Sequence, residues 1–335
     1  MPELRRRTDA IVPVPPALPG PDELAEAEGI VHAVLAPTPQ YAWPLLAGRT
    51  GAEVWVKHEN HGPAGAFKVR GGLTYFDWLR GAHPDVDGVV AATRGNHGQS
   101  IGFAARRHGM RAAIVVPHGN SREKNDAMRA LGVELIEEGE DFQASLEAAR
   151  HLARERGWHS VPSFHPRLVT GVATYALEFM RAVPHLDTIY VPIGMGSGIV
   201  GVLAARAALG RRTQVVGVVS AAAPAYARSI AEGRLVSYPA TTRIADGMAC
   251  RTPDPVALDL IARGVERVVL VSDDEVEDAM RILFSAAHTV AEGAGAASLA
   301  ALLRERDSMR GRAVGIVVSG GNVDRDVYAR VLAGS

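Results

Sequence analysis

The sequence predicts an α/β fold: open, twisted, largely parallel sheets in a two-domain arrangement. Three observations predict it. Eight apolar runs rich in valine and isoleucine recur along the chain, segments of helical period separate them, and glycine-rich turns close several runs. Runs that are apolar without alternation suit strands buried on both faces, as doubly wound parallel sheets require. In chain order these strands are Val54 to Lys57, Gly88 to Thr93, Ala112 to Pro117, Val133 to Glu137, Thr188 to Ile193, Val215 to Val219, Val268 to Val271 and Ala313 to Val318. Helical period marks Ser100 to His108, Arg122 to Leu131, Phe142 to Arg156, Ile199 to Leu209 and Asp274 to Ala287.

The βαβαβ pattern within residues 86–163 reads as a small domain. Residues 1–85 and 164–335 then form a larger domain that the chain leaves and re-enters, with 1–21 as a proline-rich arm. In such folds ligands lie beyond the carboxyl ends of strands and between domains. All the informative turns fall there.

Composition narrows the class. A chain of 335 residues fits one large domain or two ordinary ones, and 47% hydrophobic with 22% charged residues suits a globular protein. Lys and Arg number 36 against 37 Asp and Glu, so no field directs the chain to nucleic acid or an anionic membrane. The single cysteine, Cys250, leaves no internal disulfide and no cysteine-rich metal site. The basic start meets Thr8, Asp9 and prolines instead of an apolar signal core, and no apolar run spans a bilayer. A cytoplasmic enzyme acting on a small molecule is the expectation.

Four turns carry chemistry. In Gly65-Ala66-Phe67-Lys68-Val69-Arg70-Gly71, Lys68 sits at a strand-to-helix junction, where the helix dipole and burial beside Phe67 would lower its pKa. A neutral amine is what Schiff-base chemistry needs, although a solvated helix-start lysine fits this stretch equally well. Thr93-Arg94-Gly95-Asn96-His97-Gly98 exposes backbone N–H groups at a helix start, a seat for a carboxylate or phosphate. Gly194-Met195-Gly196-Ser197-Gly198 offers the same to a phosphate, and its G-x-G-x-x-G register raises the rival reading of a nicotinamide-dependent dehydrogenase. That fingerprint needs an acid at the end of the next strand, where Val219-Ser220-Ala221-Ala222-Ala223 has none. Ser319-Gly320-Gly321-Asn322 closes the last strand with a neutral hydroxyl.

Together these turns resemble the serine/threonine dehydratase group, threonine ammonia-lyase and serine racemase included, of the fold type II (tryptophan synthase β-like) pyridoxal-phosphate enzymes. The resemblance covers roughly Ala36 to Val327. It implies pyridoxal 5′-phosphate as cofactor, with Lys68 holding the aldehyde and acting as catalytic base. Phe67 would pack beside the ring and Asn96 would bond its 3′-oxygen. Gly194, Met195, Gly196 and Ser197 would wrap the phosphate, and Ser319 would face the ring nitrogen. Thr93, Arg94, Gly95 and His97 would meet the substrate. It further implies a homodimer and α,β-elimination from a β-hydroxy amino acid, threonine or serine by default, to a 2-oxo acid and ammonia. Two more matches are Ile244-Ala245-Asp246-Gly247-Met248-Ala249 and Val290-Ala291-Glu292-Gly293-Ala294-Gly295, for which packing alone is an equal account.

The chain departs from the group in places. Ala66 stands where serine precedes Phe-Lys, and the four-glycine loop reads Gly-Met-Gly-Ser. Arg94 replaces the serine of serine racemase or the usual alanine of threonine dehydratases, and a guanidinium does not give up a proton near neutral pH. Two-base racemisation is therefore not expected. An outward salt bridge is the leading account of Arg94; pairing with a second carboxylate, as in 3-hydroxyaspartate, or stacking on a β-aryl-serine are the others. The cation-binding acids of several relatives are missing after Val219, so no metal is expected. The chain stops after the last motif, so no regulatory C-terminal domain is expected either. The substrate pocket is expected to draw on loops around Arg94, Leu168 to Thr170 and Ala222 to Tyr226.

Overall fold

The computed structural model describes residues 17–334, so positions 1–16 of the expected arm lie outside the described residues. Pro21 already opens helix α1 (Pro21–His32), with Asp22 and Glu23 placed where the helix dipole favours negative charge. The chain continues as β1 (Gln40–Ala42), α2 (Pro44–Thr50), β2 (Glu53–His58), α3 (Lys68–Ala82), β3 (Gly88–Ala92), α4 (Asn96–Arg107), β4 (Arg111–Val116), α5 (Arg122–Ala130), β5 (Glu134–Glu137), α6 (Phe142–Arg156) and β6 (His159–Ser160). Then follow α7 (Pro166–Ala182), β7 (Thr188–Pro192), α8 (Ser197–Ala208), β8 (Gln214–Ser220), α9 (Ala225–Glu232), α10 (Pro255–Gly264), β9 (Arg267–Val271), α11 (Asp273–Ala287), α12 (Gly293–Arg304), α13 (Arg306–Met309), β10 (Ala313–Val318) and α14 (Arg325–Ala333).

Two sheets result. One has six strands in the order β1-β2-β10-β7-β8-β9, the other four in the order β5-β4-β3-β6. The α/β class expected from the apolar runs is what the chain adopts. Its strands are parallel except β1, whose residues Gln40 to Ala42 run antiparallel to β2 at the sheet edge. The apolar runs lack alternation because both faces are covered. In β3, Val89 and Ala91 pack with Ile101, Ile114 and Phe76, whereas Val90 and Ala92 pack with Val115 and Ala149 on the other side. In the larger sheet Val56, Tyr190 and Ile316 face one core and Val191 and Val317 face the other. Each fully buried valine, leucine or isoleucine contributes about 1.5–3 kcal/mol of transfer free energy.

Parallel pairing aligns strand ends. Val318 of β10 pairs with His58 of β2, and Ile316 pairs with Tyr190 of β7, so the turns that follow β2, β7 and β10 emerge along one rim. A bridge between Ala66 and Gly320 ties two of them together. Helices α4 and α8 begin at Asn96 and Ser197, several residues before the expected starts, because the strands turn straight into them. The turn residues Gly95 (φ 155°) and Gly196 (φ 100°) take backbone angles that side chains disfavour. Leu168 to Thr170, expected in a pocket loop, are instead buried within α7. That helix meets α3 backbone to backbone: a Cβ on Gly171 would stand 2.2 Å from the Arg70 carbonyl oxygen. The contact fixes where α3 begins, and α3 begins at Lys68.

Candidate active site

Lys68 occupies the first turn of α3, and its side chain opens onto a cavity of about 110 Å³. Its Nζ lies 4.9 Å from the centroid of the Phe67 ring. Phe67 is itself braced edge-on by Tyr175 at 6.0 Å, and its N–H donates to the Ser319 carbonyl at 3.0 Å. Desolvation pulls the Lys68 pKa down to about 8, with Glu292 pulling the other way.

The turn after β3 forms the facing wall. Thr93, Arg94, Gly95, Asn96 and His97 all line the cavity. The first N–H groups of α4 have no partner within the helix, and the residues that carry them line the cavity. The Gly95 N–H donates to the Thr93 hydroxyl at 3.0 Å, which holds the turn in shape. Burial, helped by the Lys68 charge, drops the His97 pKa to about 3, so its ring is neutral; its Nε2 is buried and unpartnered. Asn96 donates to Glu292 Oε1 at 2.5 Å and accepts from Asn322 at 2.9 Å, which sets the amide's orientation.

The third wall is the glycine turn between β7 and α8. Gly194, Met195, Gly196 and Ser197 line the cavity, and the Tyr226 hydroxyl donates to the Met195 carbonyl at 3.1 Å. Gly196 precedes α8 in a left-handed conformation, and the helix opens at Ser197 on the cavity wall with its first N–H groups unpaired within the helix. Ser319 completes the ring from the end of β10, almost fully buried. The structure therefore brings every residue to which the resemblance gave a catalytic, cofactor or substrate role around one cavity, but not Leu168 to Thr170 or Ala222 to Tyr226.

Four participants were not singled out. Lys124 reaches from α5 to Asp246 at 2.7 Å and to Glu292, the residue before α12, at 3.0 Å, and Phe142 lines the same cavity. Burial disfavours the Lys124 charge, but Glu292 and Asp246 outweigh it and hold the ammonium above its usual range. Burial raises the Glu292 pKa in turn. Asp246 and Glu292 sit in the two subsidiary motifs, which was the available signal; nothing local marked Lys124 or Phe142. Arg94 departs from its leading account. No carboxylate pairs with it among the described residues, and its Nε is buried without a partner. Nor do Ala222 to Tyr226 line the cavity directly; Tyr226 acts through Met195.

Among the described residues, no helix is long and apolar enough to cross a membrane. A family model described as "Pyridoxal-phosphate dependent enzyme" matches residues 31–320. The chain is 33% identical over 312 residues to an L-threonine ammonia-lyase of Thermotoga maritima, covering 93% of this chain and 77% of that protein. It is also 33% identical over 298 residues to an L-threo-3-hydroxyaspartate ammonia-lyase of a Pseudomonas species, covering 89% and 93%. Among solved structures it resembles maize serine racemase, with a TM-score of 0.87 at 27% identity over 95% of this chain and 98% of that one.

Proposed function

This chain belongs to the pyridoxal-phosphate dependent enzyme family, and from that premise we propose that it dehydrates a β-hydroxy amino acid of the L-threonine or L-serine type. The products are a 2-oxo acid and ammonia. The observation that carries this reading is the placement of buried Lys68 at one cavity with the start of α4 and the glycine turn before α8, where desolvation lowers its pKa.

The residues fit the cofactor. A Cβ on Gly196 would meet Ala257 at 2.8 Å, and one on Gly194 would stand 2.3 Å from the Gly247 carbonyl, so at these two positions the turn can present only backbone, as a phosphate seat requires. Lys68 would hold the cofactor through Nζ, with Phe67 against the ring and Asn96 toward its oxygen. When bound, the cofactor supplies an electron sink for charge developing at the substrate α-carbon.

The chain's own groups then do the rest. The N–H groups of Asn96, His97 and Gly98, in the first turn of α4, would seat the substrate's α-carboxylate. Lys68, released as a neutral amine, would take the α-proton at Nζ. Ser319 would hydrogen-bond the ring nitrogen without fixing a charge on it, which favours prompt loss of the β-hydroxyl over longer-lived carbanion chemistry. Arg94 cannot act as a second acid–base group, which disfavours racemisation.

The proposal extends to a cytoplasmic homodimer in which residues 86–163 form the small substrate-loop domain. Support for the division comes from the four-stranded sheet, whose strands all lie between Gly88 and Ser160. The exposed apolar side chains of Tyr41 and Leu45 beside edge strand β1 support a partner subunit. The test is ammonia and 2-oxo acid release by the holoenzyme across stereoisomers of serine, threonine, 3-hydroxyaspartate and phenylserine. Release from at least one L isomer is expected. Racemisation without ammonia, or a nicotinamide-dependent absorbance change with no bound chromophore, overturns the reading.

A further inference from the structure

Beside the cavity around Lys68 lies a second, outer chamber of about 620 Å³. Arg94, Phe142, Met195, Ala249 and Cys250 line both and form the wall they share. The charged groups lining the outer chamber are Arg94, Arg150 and Arg251 against Asp141 and Asp254. Both acids are already engaged. Asp141 caps α6 by accepting from the Ala144 N–H at 2.9 Å and pairs with Arg251 at 3.0 Å. Asp254 caps α10 by accepting from Val256 and Ala257 at 2.9 and 3.0 Å. Arg94 and Arg150 have no carboxylate partner among the described residues. Three guanidinium groups stand against two carboxylates, so the chamber carries a surplus of one positive charge.

We infer that Arg94 determines specificity by pairing with a carboxylate on the β-carbon of the substrate, so that the preferred substrate is a 3-hydroxy amino dicarboxylic acid. This rests on the dehydratase reading and narrows it. A buried guanidinium Nε–H without an acceptor carries a desolvation cost that an anionic partner removes. A planar carboxylate satisfies two donors of the guanidinium at once. An aryl group stacked on its face leaves the Nε–H unpaired, which is why the carboxylate is favoured over a β-aryl substituent. The α-carboxylate does not need Arg94, because the N–H groups opening α4 provide its seat. Lys124 is not available for either carboxylate, since Asp246 and Glu292 hold it. Arg150, which lines the same chamber, adds to the field that draws in a substrate with two carboxylates and a net negative charge.

The reaction balances without an added reagent. The Cα–H and Cβ–O bonds break and the hydroxyl leaves as water. Hydrolysis then consumes one water, and the monoanionic hydroxy amino diacid becomes a 2-oxo dicarboxylate and ammonium.

The test compares kcat/KM for L-threo-3-hydroxyaspartate and L-threonine in the wild-type holoenzyme, Arg94→Met and Arg94→Lys. Binding of L-aspartate and L-2-aminobutyrate, which lack the leaving hydroxyl, is measured calorimetrically in parallel. Wild type should prefer the diacid. Arg94→Met should lower that preference at least tenfold and weaken L-aspartate binding more than L-2-aminobutyrate binding, with Arg94→Lys in between. A preference unchanged by Arg94→Met, or a wild-type enzyme that turns over threonine or phenylserine and not the diacid, overturns the inference and leaves the dehydratase reading standing. Ammonia from none of the hydroxy amino acids overturns both.

Discussion

Lys68→Ala is expected to abolish the visible absorbance of bound cofactor and to lower ammonia release by at least ~10³-fold, since it removes both the covalent anchor and the general base. The site offers no substitute. Lys124, the nearest other lysine lining the cavity, is held charged by Asp246 and Glu292. Lys57 is directed away from the cavity into contacts with Glu178 and the Thr38 carbonyl at 2.6 and 2.8 Å. Attachment of cofactor to the apoprotein should also depend on pH in a defined direction. Only the neutral amine attacks an aldehyde, and with a pKa of about 8 that form grows as pH rises toward 8 and levels off above it. At pH 7 a pKa of 8 leaves ~10% of the amine neutral, against ~0.03% for an unperturbed lysine. Stopped-flow absorbance from pH 6 to 10 checks this: a rate still climbing steeply above pH 9 contradicts the lowered pKa, and a yellow, active Lys68→Ala variant contradicts the assignment.

The frame of the site was legible because its signals are local. Strands buried on both faces must be apolar throughout, which marks runs such as Gly88 to Ala92 and Ala313 to Val318 whatever they pair with. Turns that bind anions through backbone need glycine near a helix start, and Gly95 and Gly196 show it in one glance at the chain. What escaped was non-local. Strand β1 has three residues, too few for any period, and only its register against Lys57, Val56 and Trp55 defines it. Lys124 looks like any helix-start lysine until the fold brings Asp246, 122 positions away, to its ammonium. Leu168 to Thr170 resemble a loop after Pro166, yet that proline simply opens α7 with its fixed φ. Arg94 is the instructive case. Its residue type suggested a salt bridge, but whether a carboxylate stands opposite depends on which distant segments the fold brings to the same cavity wall.

Arg70→Met should cause the largest loss of stability, because Arg70 sits at the centre of a buried charge cluster two residues beyond Lys68. Its Nε donates to Glu59 at 2.8 Å and its Nη1 to Glu178 at 2.6 Å, while Lys57 donates to Glu178 at 2.6 Å. Exposure is 0% for Lys57, 1% for Arg70 and 2% for Glu59, so water screens little of this. Two cations balance two anions. Removing Arg70 leaves Glu59 and Glu178 with Lys57 as their one permanent cation, beside His32, which touches Glu178 at 2.9 Å and is charged only when protonated; an uncompensated buried charge of this kind costs about 3–5 kcal/mol. Glu59→Gln added to Arg70→Met restores neutrality, so the double variant should unfold at a higher temperature than Arg70→Met alone. Lower pH should act likewise on the single variant. The surplus carboxylate, deprived of its cation, has a raised pKa in the folded state and binds protons more readily there, so stability relative to wild type recovers as pH falls through that value. Calorimetric unfolding of the three proteins at pH 8 and pH 6 decides the matter. Additive losses in the double variant would mean that packing around the Arg70 stem, and not charge balance, holds the start of α3 in place.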